Sequence, residues 1–139
     1  MPSPGSSPAP SLGVDARSIH HVTFIASDLR ASTRFHIAVL KPLGVVREAP
    51  DFGAEFWEEE RDTPSFGLHS AGDATVTRGA HVAFTARDRA SVDGFYEAAL
   101  ASGDTSRHEP RLWPKYRACC AFVDDPDGNN VEAVHKEQV

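Results

Sequence analysis

Two histidines and one glutamate, His21, His81 and Glu132, are the residues of this sequence best suited to metal chemistry. Neutral imidazole binds Fe, Mn, Ni, Co or Zn, and a carboxylate adds charge compensation. Together they form a ligand set that leaves positions of the ion open to a substrate. A lone histidine in a strand is more often a core or surface residue, so the hypothesis depends on where the chain places these side chains.

Glu132 lies in a predicted β-hairpin. Residues 126–128, Pro-Asp-Gly, suit a type I turn, because Pro fixes φ, Asp tolerates the bridge region and Gly accepts positive φ. The apolar run Ala118–Val123 precedes this turn, and Val131–Val134 follows it. A carboxylate in an apolar strand is costly unless it is paired or bound to a metal. The pattern therefore predicts a partner for Glu132.

The chain repeats itself at an offset of 60 residues. His21-Val-Thr-Phe recurs as His81-Val-Ala-Phe, and each copy is followed by an aspartate suited to a helix N-cap, Asp28 and Asp88. Eight identities fall within about 20 aligned positions, in phase with strand, cap and helix. A tandem duplication is the economical explanation.

Each copy predicts a strand, a helix and further strands. The first copy predicts a strand over Ile19–Ala26, a helix from Leu29 to about Leu40, and strands over residues 44–48, 55–59 and 66–70. The second predicts a strand over Ala80–Ala86, a helix over Ala90–Ser102, a short strand near Thr105–His108, a loop marked by Pro110, Trp113 and Pro114, and the final hairpin.

Alternation along the strands predicts which side chains share a face. The apolar faces, such as Val22 with Phe24, should pack on the helices. His21 and His81 then lie on the opposite face of the sheet, and Glu132 has the matching parity in the last strand. His20 has the other parity and is assigned to the start of the first strand.

Composition and charge limit the partners. A formal net charge of −6 and a pI near 5.6 argue against nucleic acid and anionic membranes. No run reaches the length of a membrane span and no signal segment opens the chain, so we expect a cytoplasmic protein.

Residues 1–16 are predicted to be a flexible Pro/Ser-rich tail, and residues 17–139 a single domain. Cys119 and Cys120 are adjacent in one strand, which predicts two inert buried thiols.

These motifs resemble the vicinal oxygen chelate superfamily, which includes glyoxalase I, bleomycin-resistance proteins, fosfomycin-resistance enzymes and extradiol dioxygenases. The resemblance rests on the two His-Val-x-Phe strands with their aspartates and on Asp125-Pro-Asp-Gly-Asn-Asn-Val-Glu132, and it covers about residues 18–135. It implies an α+β fold of two tandem βαββ modules, about 18–72 and 79–136, whose curled mixed sheets enclose a cavity. It also implies a homodimer and a small-molecule substrate.

The resemblance further implies one divalent metal ion, held by His21 and His81 from the first strands and by Glu132 from the last strand. Glu132 is also the candidate catalytic residue. The remaining ligand position of glyoxalase I falls on Gly67, which departs from that pattern, whereas the three-ligand pattern of fosfomycin-resistance enzymes and extradiol dioxygenases is intact. His69 has the parity of Gly67 and is a candidate fourth ligand or base, or else a surface histidine. Glu55 and Glu58 are alternatives if the register differs.

Four side chains are candidates for substrate binding. Trp57, Trp113 and Tyr116 combine an aromatic body with a polar group, which suits a pocket wall. Arg111 could meet an anionic substrate. The alternatives are core packing, which is favoured for Trp57, and a solvated basic loop for Arg111.

Three functions stay open at this point. The first is a divalent-metal-dependent lyase, isomerase or dioxygenase acting on a small oxygen-rich substrate. The second is a metal-free drug-binding protein of the bleomycin-resistance type. The acidic charge suits a cationic drug, but the His-His-Glu set argues against this function, because such a binder needs no metal ligands. The third is a catalytically silent sensor or structural homodimer, supported by the glycine at position 67.

Overall fold

The computed structural model of the chain describes residues 19–48, 53–58, 64–103 and 106–137. The first half contains β1 (Val22–Ala26), α1 (Leu29–Leu40), β2 (Val45–Glu48), β3 (Gly53–Glu58) and β4 (Phe66–Ser70). The second half contains β5 (His81–Thr85), α2 (Arg89–Ala101), β6 (Ser106–Trp113), β7 (Ala118–Asp124) and β8 (Asn130–Lys136). Short 3₁₀ turns, Lys41–Leu43 and Pro114–Tyr116, precede β2 and β7.

The two halves form four-stranded mixed sheets with the same topology. The strand orders are β1-β4-β3-β2 and β5-β8-β7-β6. In each sheet the first strand runs parallel to the last one, and the other pairs are antiparallel. The predicted α+β fold of two repeated modules is confirmed, and the final hairpin is the antiparallel pair β7–β8.

Both helices begin at the predicted aspartates. The Asp28 carboxylate accepts a hydrogen bond from the Ala31 backbone N–H, and Asp88 accepts one from Ser91, so each side chain satisfies a donor that the first helical turn leaves open. The chain leaves α1 through a 3₁₀ turn capped by Gly44, whose φ of 77° is unfavourable for other residues. Within the described residues, neither helix is long and apolar enough to cross a membrane.

A single apolar core joins the two sheets and the two helices. The Phe66 ring lies 5.1 Å from the Phe24 ring of β1 and 5.4 Å from the Phe84 ring of β5. Phe35 of α1 and Phe95 of α2 are buried in the same cluster. The faces that carry Phe24 and Phe84 therefore pack inward, and the alternate residues of β1 and β5 lie on the other side of each sheet, as the parity argument predicts.

The loop predicted around Pro110 and Trp113 is wrong, because β6 continues as a strand to Trp113. The strand pairs with β7 alone and lies at the edge of its sheet. Its register shifts between His108 and Arg111, so Pro110 falls within a bulge. Proline is tolerated there because an edge bulge does not require its missing N–H for the ladder.

The turn between β7 and β8 is fastened to both halves of the chain. Asp125 accepts hydrogen bonds from the backbone N–H groups of Asp127 and Asn129. Asp127 in turn accepts bonds from the backbone N–H and the hydroxyl of Ser27, directly after β1. This buried turn therefore fixes the start of β8, and with it Glu132, relative to the first sheet.

The Asn129 side chain should contribute strongly to the stability of this turn. Its amide donates to Thr77 O at 2.8 Å and to Asp125 Oδ2 at 3.0 Å, and its oxygen accepts from the Ala80 N–H at 3.0 Å. Because Asn129→Ala would leave these buried groups unpaired, we expect it to lower the free energy of unfolding by about 2–3 kcal/mol. Urea unfolding measures this.

The adjacent asparagine provides the matched control. The side-chain oxygen of Asn130 is buried without a hydrogen-bond partner in the described part of the chain. Asn130→Ala should therefore cost less than about 1 kcal/mol. Equal decreases in the free energy of unfolding of the two variants would contradict the role given to Asn129.

Candidate active site

The second sheet supplies Glu132 with the partner that its apolar strand predicts. In the parallel pairing of β5 with β8, Glu132 lies beside Ala83, two residues after His81. The His81 Nε2 atom lies 2.7 Å from Glu132 Oε1. The Glu132 side chain is only 12% exposed, whereas the His81 side chain is 51% exposed. A mostly buried carboxylate is thus held by an imidazole that reaches solvent.

The neighbouring strand β7 adds a thiol and an aromatic ring to this site. Phe122 lies opposite Glu132 and Cys120 opposite Val134, so both share the face of Glu132. Burial, and then the hydrogen bond and negative charge of Glu132, raise the pKa of the Cys120 thiol to about 12. The thiol therefore stays protonated near neutral pH and serves as a donor to Glu132 rather than as a nucleophile.

The first sheet carries a separate pocket at the start of β1. Its lining consists of three histidines, one carboxylate, one hydroxyl and a short apolar wall: His20, His21, Thr23, Glu55, Pro64, Phe66, Gly67 and His69. The His20 and His21 Nδ1 atoms lie 2.9 Å apart. His69 is on β4 beside Ile25, so the structure brings His21 and the candidate fourth ligand His69 into one cavity.

Gly67 occupies the place in the first sheet that Glu132 occupies in the second. Thr23 pairs with Gly67 as Ala83 pairs with Glu132. A Cβ atom on Gly67 would lie 3.3 Å from Thr23 Oγ1, so even a small side chain would crowd this position. The carboxylate on this side comes instead from the next strand, since Glu55 of β3 lies opposite Gly67 and lines the pocket.

Sequence reasoning held Glu55 only as an alternative because its face depends on the register of β3. The apolar residues Ala54 and Phe56 stand on either side of Glu55, and both are buried. Their alternation with Glu55 in the sequence is the signal that assigns Glu55 to the face away from the core. Cys120 was assigned to the core without a partner. The parity shared by Cys120 and Glu132 in the predicted hairpin could have indicated that they are neighbours.

The predicted ligands fall into two groups. His81 and Glu132 meet on the second sheet, and His21 lines the pocket of the first. Within the ranges that the structure describes, no three His, Cys, Asp or Glu side chains are placed to hold a metal ion together. One chain therefore brings two of the three predicted ligands into contact.

The aromatic candidates are divided in the same way. Trp113 and Arg111 are on β6, on the face that carries Phe122. Trp57 is on β3, two residues after Glu55, and is half-buried with no hydrogen-bond partner for Nε1 in the described ranges. Tyr116 lies in the 3₁₀ turn before β7 and is 58% exposed.

Comparison with known proteins identifies the family. The model of the Glyoxalase/Bleomycin resistance protein/Dioxygenase superfamily matches residues 18–133. The chain belongs to this superfamily, and the resemblance read from the two histidine strands and the Asp-Pro-Asp-Gly turn is confirmed. No curated protein matches the sequence significantly.

Several solved structures share the fold. A glyoxalase/bleomycin resistance protein from Albidiferax ferrireducens T118 is 27% identical, with a TM-score of 0.72, over 84% of this chain and 97% of that one. A lactoylglutathione lyase from Agrobacterium tumefaciens is 24% identical, with a TM-score of 0.61, over 83% and 90% of the two chains. A glyoxalase/bleomycin resistance protein/dioxygenase family enzyme from Burkholderia phytofirmans PsJN is 16% identical, with a TM-score of 0.66, over 87% and 100%.

Proposed function

We propose that the protein is a divalent-metal-dependent enzyme of lyase, isomerase or dioxygenase type acting on a small oxygen-rich substrate. The observation that carries the proposal is the contact between His81 Nε2 and Glu132 Oε1 at 2.7 Å. An imidazole nitrogen and a mostly buried carboxylate oxygen that converge on one point form a donor pair suited to Fe, Mn, Ni, Co or Zn. Such an ion supplies Lewis acidity toward two oxygens of a substrate.

His21 is the third ligand in this proposal. It lies on a different sheet from the His81–Glu132 pair, in the equivalent position of the repeated motif. We therefore propose a homodimer in which His21 of one copy completes the ligand set of the other. The open face of each sheet would then close against the opposite sheet of the partner copy and enclose the cavity.

Glu132 is the proposed catalytic residue. His81 and the Cys120 thiol both donate to its carboxylate, which fixes the orientation of the group. An ionised carboxylate at the edge of a cavity can accept a proton from a carbon or hydroxyl next to a bound oxygen. Glu55 is the proposed second carboxylate of the cavity, and His69 a further base beside it.

Elemental analysis of protein purified without an affinity metal tests the proposal. We expect about one Fe, Mn, Ni, Co or Zn ion per chain in the wild type, and loss of more than about 90% of it in His21→Ala, His81→Ala and Glu132→Gln, because each removes one of three ligands. His135→Ala, which changes a histidine of β8 outside the ligand set, should keep the metal. Full occupancy in both His81→Ala and Glu132→Gln would contradict the proposal. If the wild type takes up none of the five ions, the metal-free binding protein becomes the better description.

A further inference from the structure

The bulge in β6 aligns three side chains that a regular strand would place on opposite faces. His108 pairs with Phe122 and Arg111 with Cys120, so one residue of β7 faces two residues of β6 between these pairs. Because side chains alternate in a regular strand, His108 and Arg111 would otherwise point to opposite sides. The bulge places both of them, together with Trp113, on the face of Glu132.

A chain of ring contacts links these residues to the His81–Glu132 pair. The His81 ring lies 6.1 Å from Phe122, Phe122 lies 5.8 Å from Trp113 at an interplanar angle of 85°, and Trp113 lies 5.3 Å from His108. The rings form a continuous aromatic surface that leads from the candidate active site to the edge of the sheet. A flat ligand can pack along such a surface.

Arg111 adds a positive charge at the far end of this surface. Its guanidinium carbon lies 3.9 Å from the centroid of the Trp113 ring. Among the described residues it forms no ion pair, whereas Arg107 of the same strand and Arg89 of α2 are each paired with a carboxylate. The Trp113 Nε1 atom is buried without a hydrogen-bond partner in the same ranges. The site thus has a stacked cation and an unused N–H donor.

We propose that β6 and Phe122 form a subsite for a planar anion, an aromatic carboxylate, whose ring packs against Phe122 and Trp113 and whose carboxylate binds Arg111. A guanidinium presents two parallel N–H donors that match a carboxylate, and its position over the indole keeps it planar and in place. The opposite end of such a ligand points toward His81 and Glu132. This inference rests on the proposed function, since it names the substrate class of the same site.

Tryptophan fluorescence can test this subsite without turnover. The chain contains two tryptophans, Trp57 and Trp113, so Trp57→Phe leaves Trp113 as the sole reporter. Titration is done in the presence of a chelator, with benzoate as the probe and with benzamide and acetate as the uncharged and ring-free comparisons. We expect saturable quenching by benzoate, with affinity at least about tenfold higher than for either comparison.

Two arginine variants of the same strand complete the design. Arg111→Gln should reduce benzoate affinity about tenfold, to that of benzamide, and Arg107→Gln should leave it unchanged because Arg107 is paired with Asp124. Equal affinity for benzoate and benzamide in the Trp57→Phe protein, or no saturable quenching at all, would overturn the subsite. Because metal is absent throughout, a failure here is distinct from a failure of the metal proposal, which the elemental analysis detects.

Discussion

Mixed dimers of the His21→Ala and His81→Ala variants should bind metal, although neither variant binds it alone. In the proposed homodimer each site takes His21 from one copy and the His81–Glu132 pair from the other. When one copy carries each substitution, both substitutions fall in the same site, and the second site has all three wild-type ligands. Random pairing of equal amounts gives about half mixed dimers, so about a quarter of all sites should recover metal.

The control for this experiment follows from the 2.7 Å contact between His81 and Glu132. These two residues belong to one chain and therefore to one half of a site. Mixed dimers of His81→Ala with Glu132→Gln should stay without metal, because each site keeps one damaged half. Co-expression of two differently tagged copies and sequential purification on both tags isolates the mixed dimer for elemental analysis. Absence of recovery in the first mixture, or recovery in the second, would contradict a site shared between copies.

The physical reason for a shared site lies in the way the two halves of one chain pack. Phe24 and Phe84 point into a common core, so the faces that carry His21 and His81 point away from it. The turn that holds Asp127 against Ser27 fixes the two sheets in this relation. Bringing His21 to Glu132 within one chain would require breaking this core.

The sequence predicted most of the elements because their signals are local. The aspartate caps and the helix over Leu29–Leu40 depend on residues within a few positions of each other, and strand alternation assigned His21, His81 and Glu132 to the open faces. Long-range geometry was beyond this reasoning. The bulge that aligns His108 with Arg111 depends on how β6 pairs with β7, and proline at position 110 favoured a loop.

In the candidate site, too, some features could be predicted from the sequence, whereas those that depend on long-range geometry could not. The family resemblance placed the remaining ligand position on Gly67, and the register of both parallel pairs makes Gly67 the equivalent of Glu132. The sequence could not show that Glu55 stands opposite Gly67, because that depends on the pairing of β3 with β4 across a segment where the repeat is weak. It also could not show how far apart the two sheets hold the predicted ligands, since that is set by the packing of the whole core.

We expect the buried side chain of His36 to lower the free energy of unfolding markedly as the pH falls. The side chain, on α1, is fully buried, with Nδ1 bonded to Ser32 O at 2.7 Å and Nε2 3.9 Å from Asp125 Oδ2. The rings of Phe35, Phe56 and Phe66 surround it. Burial lowers the pKa of His36 below its usual value, and it outweighs the Ser32 carbonyl and the charges of Asp125 and Asp127, which act in the opposite direction.

The sign of the effect follows from proton linkage. The unfolded chain takes up a proton at His36 near pH 6.5, whereas the folded protein resists protonation until a lower pH. The full stability is therefore present above pH 6.5 and is lost as the pH falls toward the folded pKa, by at most about 1.4 kcal/mol per pH unit from this residue. His36→Gln keeps a polar group of similar size but cannot take up the proton. The free energy of unfolding of this variant should therefore fall less steeply as the pH is lowered, by up to that amount per pH unit.

Urea unfolding followed by tryptophan fluorescence, at intervals between about pH 8 and pH 5, measures this difference. The Asn129→Ala variant is the control, because it is destabilised in the same inter-sheet region but retains His36, and it should keep the steep acid dependence of the wild type. Parallel curves for the wild type and His36→Gln below pH 6.5 would show that His36 is not the group responsible.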